Sequence, residues 1–191
     1  GVFRTVDEGD YGFAVYEDSG KVSVYAYYGT DKNVTTPYKF NGTVVTEIFG
    51  GAFAHTSVVS VSVSEGVTFI PEGVKCIVSA FRGKTDVTGI EFGSSVLAEI
   101  GYGSFDGCTG LHTVVIPDSV KKIGIGSFAN CTSLEEVTLG SGVTEIGQSA
   151  FLSCDAIAKV KYTGSESDWE KLSIGEGNER LTEAKREYGA K

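Results

Sequence analysis

Residues 120–143 read VKKIGIGSFANCTSLEEVTLGSGV, and residues 143–164 continue with VTEIGQSAFLSCDAIAKVKYTG. The two stretches match when Phe128 is placed over Phe151. An Ile then stands five residues before each Phe, a Cys three residues after it and a Val nine residues after it. Self-similarity at a fixed period is the signature of a repeat architecture. This stretch therefore decides the fold before any single element is assigned.

The same register extends toward the start of the chain. Each repeat carries one phenylalanine at the equivalent position. An insertion of a few residues around Pro71 lengthens the spacing between two of these phenylalanines. A unit of about 23 residues is too small to bury its own apolar side chains, so stacked units must share a core. The alternating residues that end each unit predict a short strand. The equivalent phenylalanines are Phe53, Phe81, Phe105, Phe128 and Phe151.

The repeat also gives the cysteines and glycines their places. Cys108, Cys131 and Cys154 share one column, so we predict parallel side chains that point into the core as buried free thiols. Cys76 lies outside that column and has no evident partner. Gly124 and its equivalents after the Ile predict tight corners, where positive φ or close backbone approach favours glycine.

Composition excludes some classes of function. With 16 Lys and Arg against 25 Asp and Glu, the net charge is -9, so we expect no binding to nucleic acid. Apolar runs are too short for insertion into a membrane. His55 and His112 have no other potential metal ligands clustered near them in the sequence, so we expect both to be surface residues. We therefore expect no catalytic residue, metal site or cofactor, and no enzyme activity.

Both ends of the solenoid need covering elements. Residues 13–16 and 22–27 predict an aromatic β-hairpin over the first coil, with an exposed aromatic platform for sugars as the alternative. Ser165 and Asp168 predict the start of a short helix that anchors Trp169. The predicted organisation is a single solenoid domain, with an N-terminal cap (1–43), five repeats (44–164) and a C-terminal cap (165–191).

The repeat units resemble the BspA-type leucine-rich repeat, with its I-G, A-F, C and L-x-x-V-x-I-P elements. Leu111, Val114, Ile116 and Pro117 follow the last of these elements directly. The resemblance implies a leucine-rich-repeat solenoid, an α/β-class right-handed superhelix of mainly short strands and turns. We expect this solenoid to carry an N-terminal β-hairpin cap and a short C-terminal helical cap.

The resemblance also implies a role and a location. Proteins of the family serve surface display, adhesion and the binding of host or matrix proteins, so we expect a noncatalytic extracellular or cell-surface protein. The chain begins at Gly1 and has no Met, which predicts a processed fragment. The absence of a secretory signal from it is then uninformative.

The predicted strands leave two outward-facing columns, which are our candidate binding face. Repeat proteins commonly use such a face for macromolecular recognition, and we expect a monomer that binds a host or matrix protein there. The alternatives are a carbohydrate-binding module and a structural spacer within a larger surface protein. The columns are Ser60, Gly89, Thr113, Glu136 and Lys159, and Ser62, Glu91, Val115, Thr138 and Lys161.

Overall fold

Short strands and turns dominate the computed structural model, which describes residues 2–48, 52–53, 56, 60–63, 69–70, 88–92 and 97–190. For 60–63, 69–70, 89 and 91 it describes the backbone alone. The chain winds into a β-solenoid of about five turns with little helix, which confirms the predicted fold class. The predictions for Pro71, Cys76, Phe81 and His55 lie outside the described residues.

The elements follow one another at short intervals along the chain. They are β1 (Phe3–Glu8), β2 (Tyr11–Tyr16), β3 (Val22–Tyr27), β4 (Asn33–Thr35), β5 (Lys39–Phe40), β6 (Thr43–Ile48), β7 (Ser60–Val63), β8 (Phe69–Ile70), β9 (Gly89–Phe92), β10 (Glu99–Ile100), β11 (Thr113–Ile116), β12 (Lys122–Ile123), β13 (Glu136–Leu139), β14 (Glu145–Ile146), β15 (Lys159–Tyr162), α1 (Glu166–Trp169), β16 (Ser173–Ile174), α2 (Glu179–Glu183) and β17 (Lys185–Tyr188).

The strands stack into ladders that run along the solenoid. One sheet begins with β1, β2 and β3 in antiparallel order and continues through β6, β8, β10, β12, β14 and β16, each parallel to the one before. A second sheet joins β11, β13, β15 and β17, and a third joins β4, β7 and β9. Each coil therefore adds one strand to a growing ladder, as a solenoid requires.

Columns of like side chains fill the space between the ladders. The ring of Phe128 stacks on Phe105 with centroids 5.0 Å apart and on Phe151 at 5.3 Å. All three rings are buried. Ile123 pairs with Ile100 in one ladder and with Ile146 on its other side. Because every coil repeats the contacts of its neighbour, apolar burial accumulates along the axis.

The cysteine column lies in this core. Cys108, Cys131 and Cys154 are buried and free, as predicted. The Sγ of Cys131 donates to the carbonyl oxygen of Phe105 at 3.2 Å, and Cys154 donates to that of Phe128 at 3.0 Å. Cys131 and Cys154 thus each bond the backbone of the preceding coil, and the three cysteines of the column form no disulfide.

The N-terminal hairpin of β2 and β3 is confirmed, and its apolar face covers the first coil. Phe13 stacks on Phe40 with centroids 4.3 Å apart, and Tyr27 contacts Phe53 at 5.7 Å. Sequence reasoning missed the additional strand β1, which pairs antiparallel with β2. The Gly9-Asp10 dipeptide between them is a turn signal that could have revealed it.

The C-terminal cap begins with the predicted helix. The hydroxyl of Ser165 accepts from the backbone N–H of Asp168, whose carboxylate accepts from that of Ser165, so the capping box is present. Trp169 is buried and its ring meets Tyr162 edge-on at 5.6 Å. The predicted role of Trp169 as an anchor is therefore confirmed, whereas α2, β16 and β17 were missed.

Candidate functional site

The two predicted columns lie on adjacent strands in the predicted register. Thr113 pairs with Glu136, which pairs in turn with Lys159. In the second column Val115 pairs with Thr138, which pairs with Lys161. The third sheet repeats the register, with Ser60 opposite Gly89 and Ser62 opposite Glu91.

On β11, β13 and β15 the side chains of the two columns alternate with buried ones, as the pleat of a strand dictates. Along β11, Thr113 and Val115 are exposed while Val114 and Ile116 are buried. Along β13 and β15 the outward residues are half-buried and the alternate ones are buried. One ladder thus presents a continuous polar surface over β11, β13 and β15, with Val115 as its most exposed apolar side chain at 59%.

A three-residue ionic cluster stands at the centre of this face. The Glu136 carboxylate receives Lys159 Nζ on Oε2 and Lys161 Nζ on Oε1, each at 2.7 Å. The hydrogen bonds from the two ammonium groups lower the pKa of Glu136, and the bond to Glu136 raises the pKa of Lys159. Both shifts favour the charged forms, so the cluster stays ionised near neutral pH.

The cluster changes the expected electrostatics of the face. Taken alone, Lys159 and Lys161 predict a basic corner, but one carboxylate compensates half of their charge. Strand β17 adds Lys185 opposite Lys159 and Glu187 opposite Lys161. These two residues extend both columns, and sequence reasoning missed them because β17 does not follow the 23-residue period. The result is a mixed surface instead of a basic one.

Other features of the described residues give little support to chemistry. Within them, no group of three or more His, Cys, Asp and Glu side chains could hold a metal ion. His112 is exposed, with Nδ1 3.5 Å from the Glu135 carboxylate. A pocket of about 170 Å³ lies between Tyr162 and Leu172, smaller than ordinary ligand sites. No helix in the described ranges is long and apolar enough to cross a membrane.

The fold and its repeated columns define a leucine-rich-repeat β-solenoid. A sequence model of the BspA type leucine-rich repeat region matches residues 46–173 in six copies. The chain therefore belongs to the BspA-type leucine-rich repeat family. No curated protein matches the chain.

Solved structures of bacterial proteins share the fold. The leucine-rich repeat protein of T. pallidum is 27% identical, with a TM-score of 0.71, and the match covers 90% of this chain and 82% of that one. A leucine-rich cell surface protein of Faecalibacterium prausnitzii is 24% identical, with a TM-score of 0.64, and the match covers 83% of this chain and 45% of that one. A leucine-rich repeat protein of Bacteroides ovatus is 23% identical, with a TM-score of 0.66, and the match covers 81% of this chain and 40% of that one. The chain thus spans less than half the length of the last two.

Family membership gives a coarse functional class. Leucine-rich repeats of this kind suggest a protein-interaction module, and the family and its fold are generally noncatalytic.

Proposed function

We propose that this chain is a noncatalytic, extracellular module of a cell-surface or secreted protein that binds a host or matrix protein. The candidate contact surface is the outward face of β11, β13 and β15, continued onto β7 and β9. Membership of the family supports the class of function. The description of the F. prausnitzii relative as a cell surface protein supports the location.

The single observation that carries the proposal is the ordered ionic cluster on this face. Two lysine side chains held on one carboxylate have already lost much of their rotamer freedom, so a partner loses less entropy on contacting them. Next to the cluster, the exposed methyl groups of Val115 and the hydroxyls of Thr113 and Thr138 offer apolar and hydrogen-bonding contact. Such a mixture is typical of protein interfaces.

The test is a binding screen of the chain against matrix proteins and glycans on one array. We expect protein binding that drops at least tenfold when Glu91, Glu136, Lys159 and Lys161 are all changed to Gln. The matched control is Lys122→Gln with Glu145→Gln, which removes an exposed ion pair of 3.4 Å from another ladder. Protein binding that is equal in both variants would overturn the assignment to this face.

Carbohydrate binding is the second candidate, and the exposure of two aromatic side chains bears on it. Trp169 is buried beneath Tyr162 and the guanidinium of Arg186, 5.4 Å from its ring centre, so it offers no free face to a sugar. Tyr28 is 55% exposed, and its hydroxyl bonds that of Tyr25 at 2.9 Å. Glycan hits that disappear in Tyr28→Ala would favour this candidate. A screen without any hit would favour a structural spacer.

A further inference from the structure

Strand β1 leaves one edge of the largest sheet open. It pairs with β2 on one side, and within the described residues no strand pairs with its other side. The pairing runs without a register shift over six residues. Five of those six are exposed. Proteins usually guard such an edge with charged side chains, Pro or a bulge. Neither Pro nor a bulge interrupts β1, and its charged residues, Arg4, Asp7 and Glu8, include both signs.

The backbone groups that face this open edge can be identified. Gly9 and Asp10 form the turn between β1 and β2, so Glu8 and Tyr11 are the first hydrogen-bonded pair. The bond from Glu17 N–H to Val2 O continues the same alternation at the far end. The N–H and C=O groups of Phe3, Thr5 and Asp7 therefore point outward.

We propose that β1 pairs antiparallel with β1 of a second copy of this chain and joins two solenoids through one continuous sheet. A two-fold axis perpendicular to the sheet keeps like side chains on the same face. The outward backbone groups then allow only alternate registers, in which odd-numbered residues pair with odd-numbered ones. The charges on the strand distinguish between these registers.

One register places opposite charges together and an apolar residue on the axis. Val6 then faces the partner's Val6, and Arg4 faces the partner's Glu8 twice by symmetry. A shift of two residues in one direction sets Asp7 against the partner's Asp7. A shift of two residues in the other direction puts Thr5 on the axis and removes the Arg4–Glu8 pairs, and a further shift of two sets Arg4 against the partner's Arg4. Opposite charges across strands stabilise a pair and like charges destabilise it, so the Val6-centred register is favoured.

The side chains of β1 fit this occupant. Val6 packs partly against the core, so a second Val6 beside it would extend the apolar face. Val2 and Phe3 are 70% and 45% exposed, which is high for large apolar side chains. The proposed dimer is the alternative to the monomer expected from the sequence.

Cross-linking tests the register directly. Across a non-hydrogen-bonded pair the Cα atoms are about 4.5 Å apart, within the range of a disulfide. In a Cys76→Ser background, we expect Val6→Cys to form a covalent dimer under mild oxidation. Arg4→Cys is the matched control on the same face, because the two copies of position 4 lie about 13 Å apart in this register.

Charge reversal tests the same contact without a cross-link. By sedimentation at increasing concentration, we expect Arg4→Glu and Glu8→Arg each to weaken dimerisation at least fivefold and the double variant to restore it to within twofold. Circular dichroism checks that each variant is folded. A monomer at every concentration, equal cross-linking at positions 4 and 6, or a double variant no better than the single ones would overturn the proposal.

Discussion

Glycine occupies two kinds of position in the coil of Phe128, for different physical reasons. A Cβ on Gly124 would lie 2.7 Å from the carbonyl carbon of Gly101, and one on Gly147 would lie 2.6 Å from Ile125 N. Here the backbone of the preceding coil leaves no room for a side chain. Gly126 has open space around the same atom but a φ of 62°. Only its backbone conformation favours glycine, and Ser149 takes the equivalent position of the next coil with a φ of 55°.

Alanine at these two positions should separate the two reasons. We expect Gly126→Ala to lower the free energy of unfolding by about 1 kcal/mol, the strain of a left-handed residue. Gly124→Ala should lower it by about 3 kcal/mol, because the methyl group forces two coils apart. Urea denaturation measures both values. Equal losses would show that close approach at Gly124 has no special weight.

Asn178 ends the regular coils by imitating the backbone of a further one. In earlier coils the N–H of Phe105 and Phe128 donates to a carbonyl of the next coil. For Phe151 the acceptor is instead Asn178 Oδ1 at 2.9 Å, while Asn178 Nδ2 donates to Gly147 O at 3.0 Å. The side chain therefore satisfies donors and acceptors that would otherwise be buried without partners.

Replacing this side chain should be severe for a single polar residue. We expect Asn178→Ala to lower the free energy of unfolding by about 3 kcal/mol, because a buried N–H and buried carbonyls lose their partners. The control is Asn33→Ala at an exposed position of β4, with an expected change below about 0.5 kcal/mol. Chemical denaturation followed by circular dichroism compares them. A loss at Asn178 no larger than that at Asn33 would contradict its role as a terminator.

At the scale of elements, the C-terminal cap depends on a helix too short to be stable alone. Helix α1 comprises Glu166–Trp169, and its capping box and the packing of Trp169 hold it in place. Arg186 of β17 covers the indole ring at 5.4 Å, so helix and strand stabilise each other. The cap therefore forms only on the surface of the last coil.

The single tryptophan makes this cap visible in solution. We expect Ser165→Ala to remove the N-cap and destabilise the cap by about 1 kcal/mol. The fluorescence transition of Trp169 should then precede the circular-dichroism transition of the coils, because the end unit of a solenoid is stabilised by one neighbour only. Ser167→Ala, in the same helix but outside the cap position, serves as the control. Coincident transitions in Ser165→Ala would instead mean that cap and coils unfold together.

For the whole molecule, titratable groups define a pH window of stability. Hydrogen bonds from Thr163 and Ser141 lower the pKa of Asp118, as the two lysines do for Glu136. At the other extreme, the hydrogen bond with Cys154 and burial raise the pKa of Cys131, and burial raises that of Tyr11. A group whose pKa is lowered by folding stabilises the fold at pH values above its unfolded pKa. A group whose pKa is raised by folding stabilises the fold at pH values below its unfolded pKa.

The sign at each end follows from which state binds the proton. As pH falls through about 4, the unfolded carboxylates take up protons first and the fold loses stability. As pH rises through about 9 and then 10, unfolded Cys and Tyr release protons that the fold retains, and stability again falls. We expect urea midpoints at pH 3 and pH 10.5 below the midpoint at pH 7. Replacing Glu136 with Gln should reduce the acid loss, and an unchanged loss would contradict its contribution.

The period of the sequence predicted the solenoid, the buried thiol column and the outward columns, and local turn and capping signals predicted the hairpin and the helix start of the two caps. The stacked features depend on contacts between equivalent residues one repeat apart, so the regular spacing of those residues in the sequence is enough to predict them. Strand β1, Asn178 and the extension by β17 occur once, where no repeat reveals them. The compensation of Lys159 and Lys161 by Glu136 was equally hidden, because a charge on a strand does not say which ammonium groups reach it. Only the tertiary structure decided these contacts, since they join residues whose proximity is created by the stacking itself.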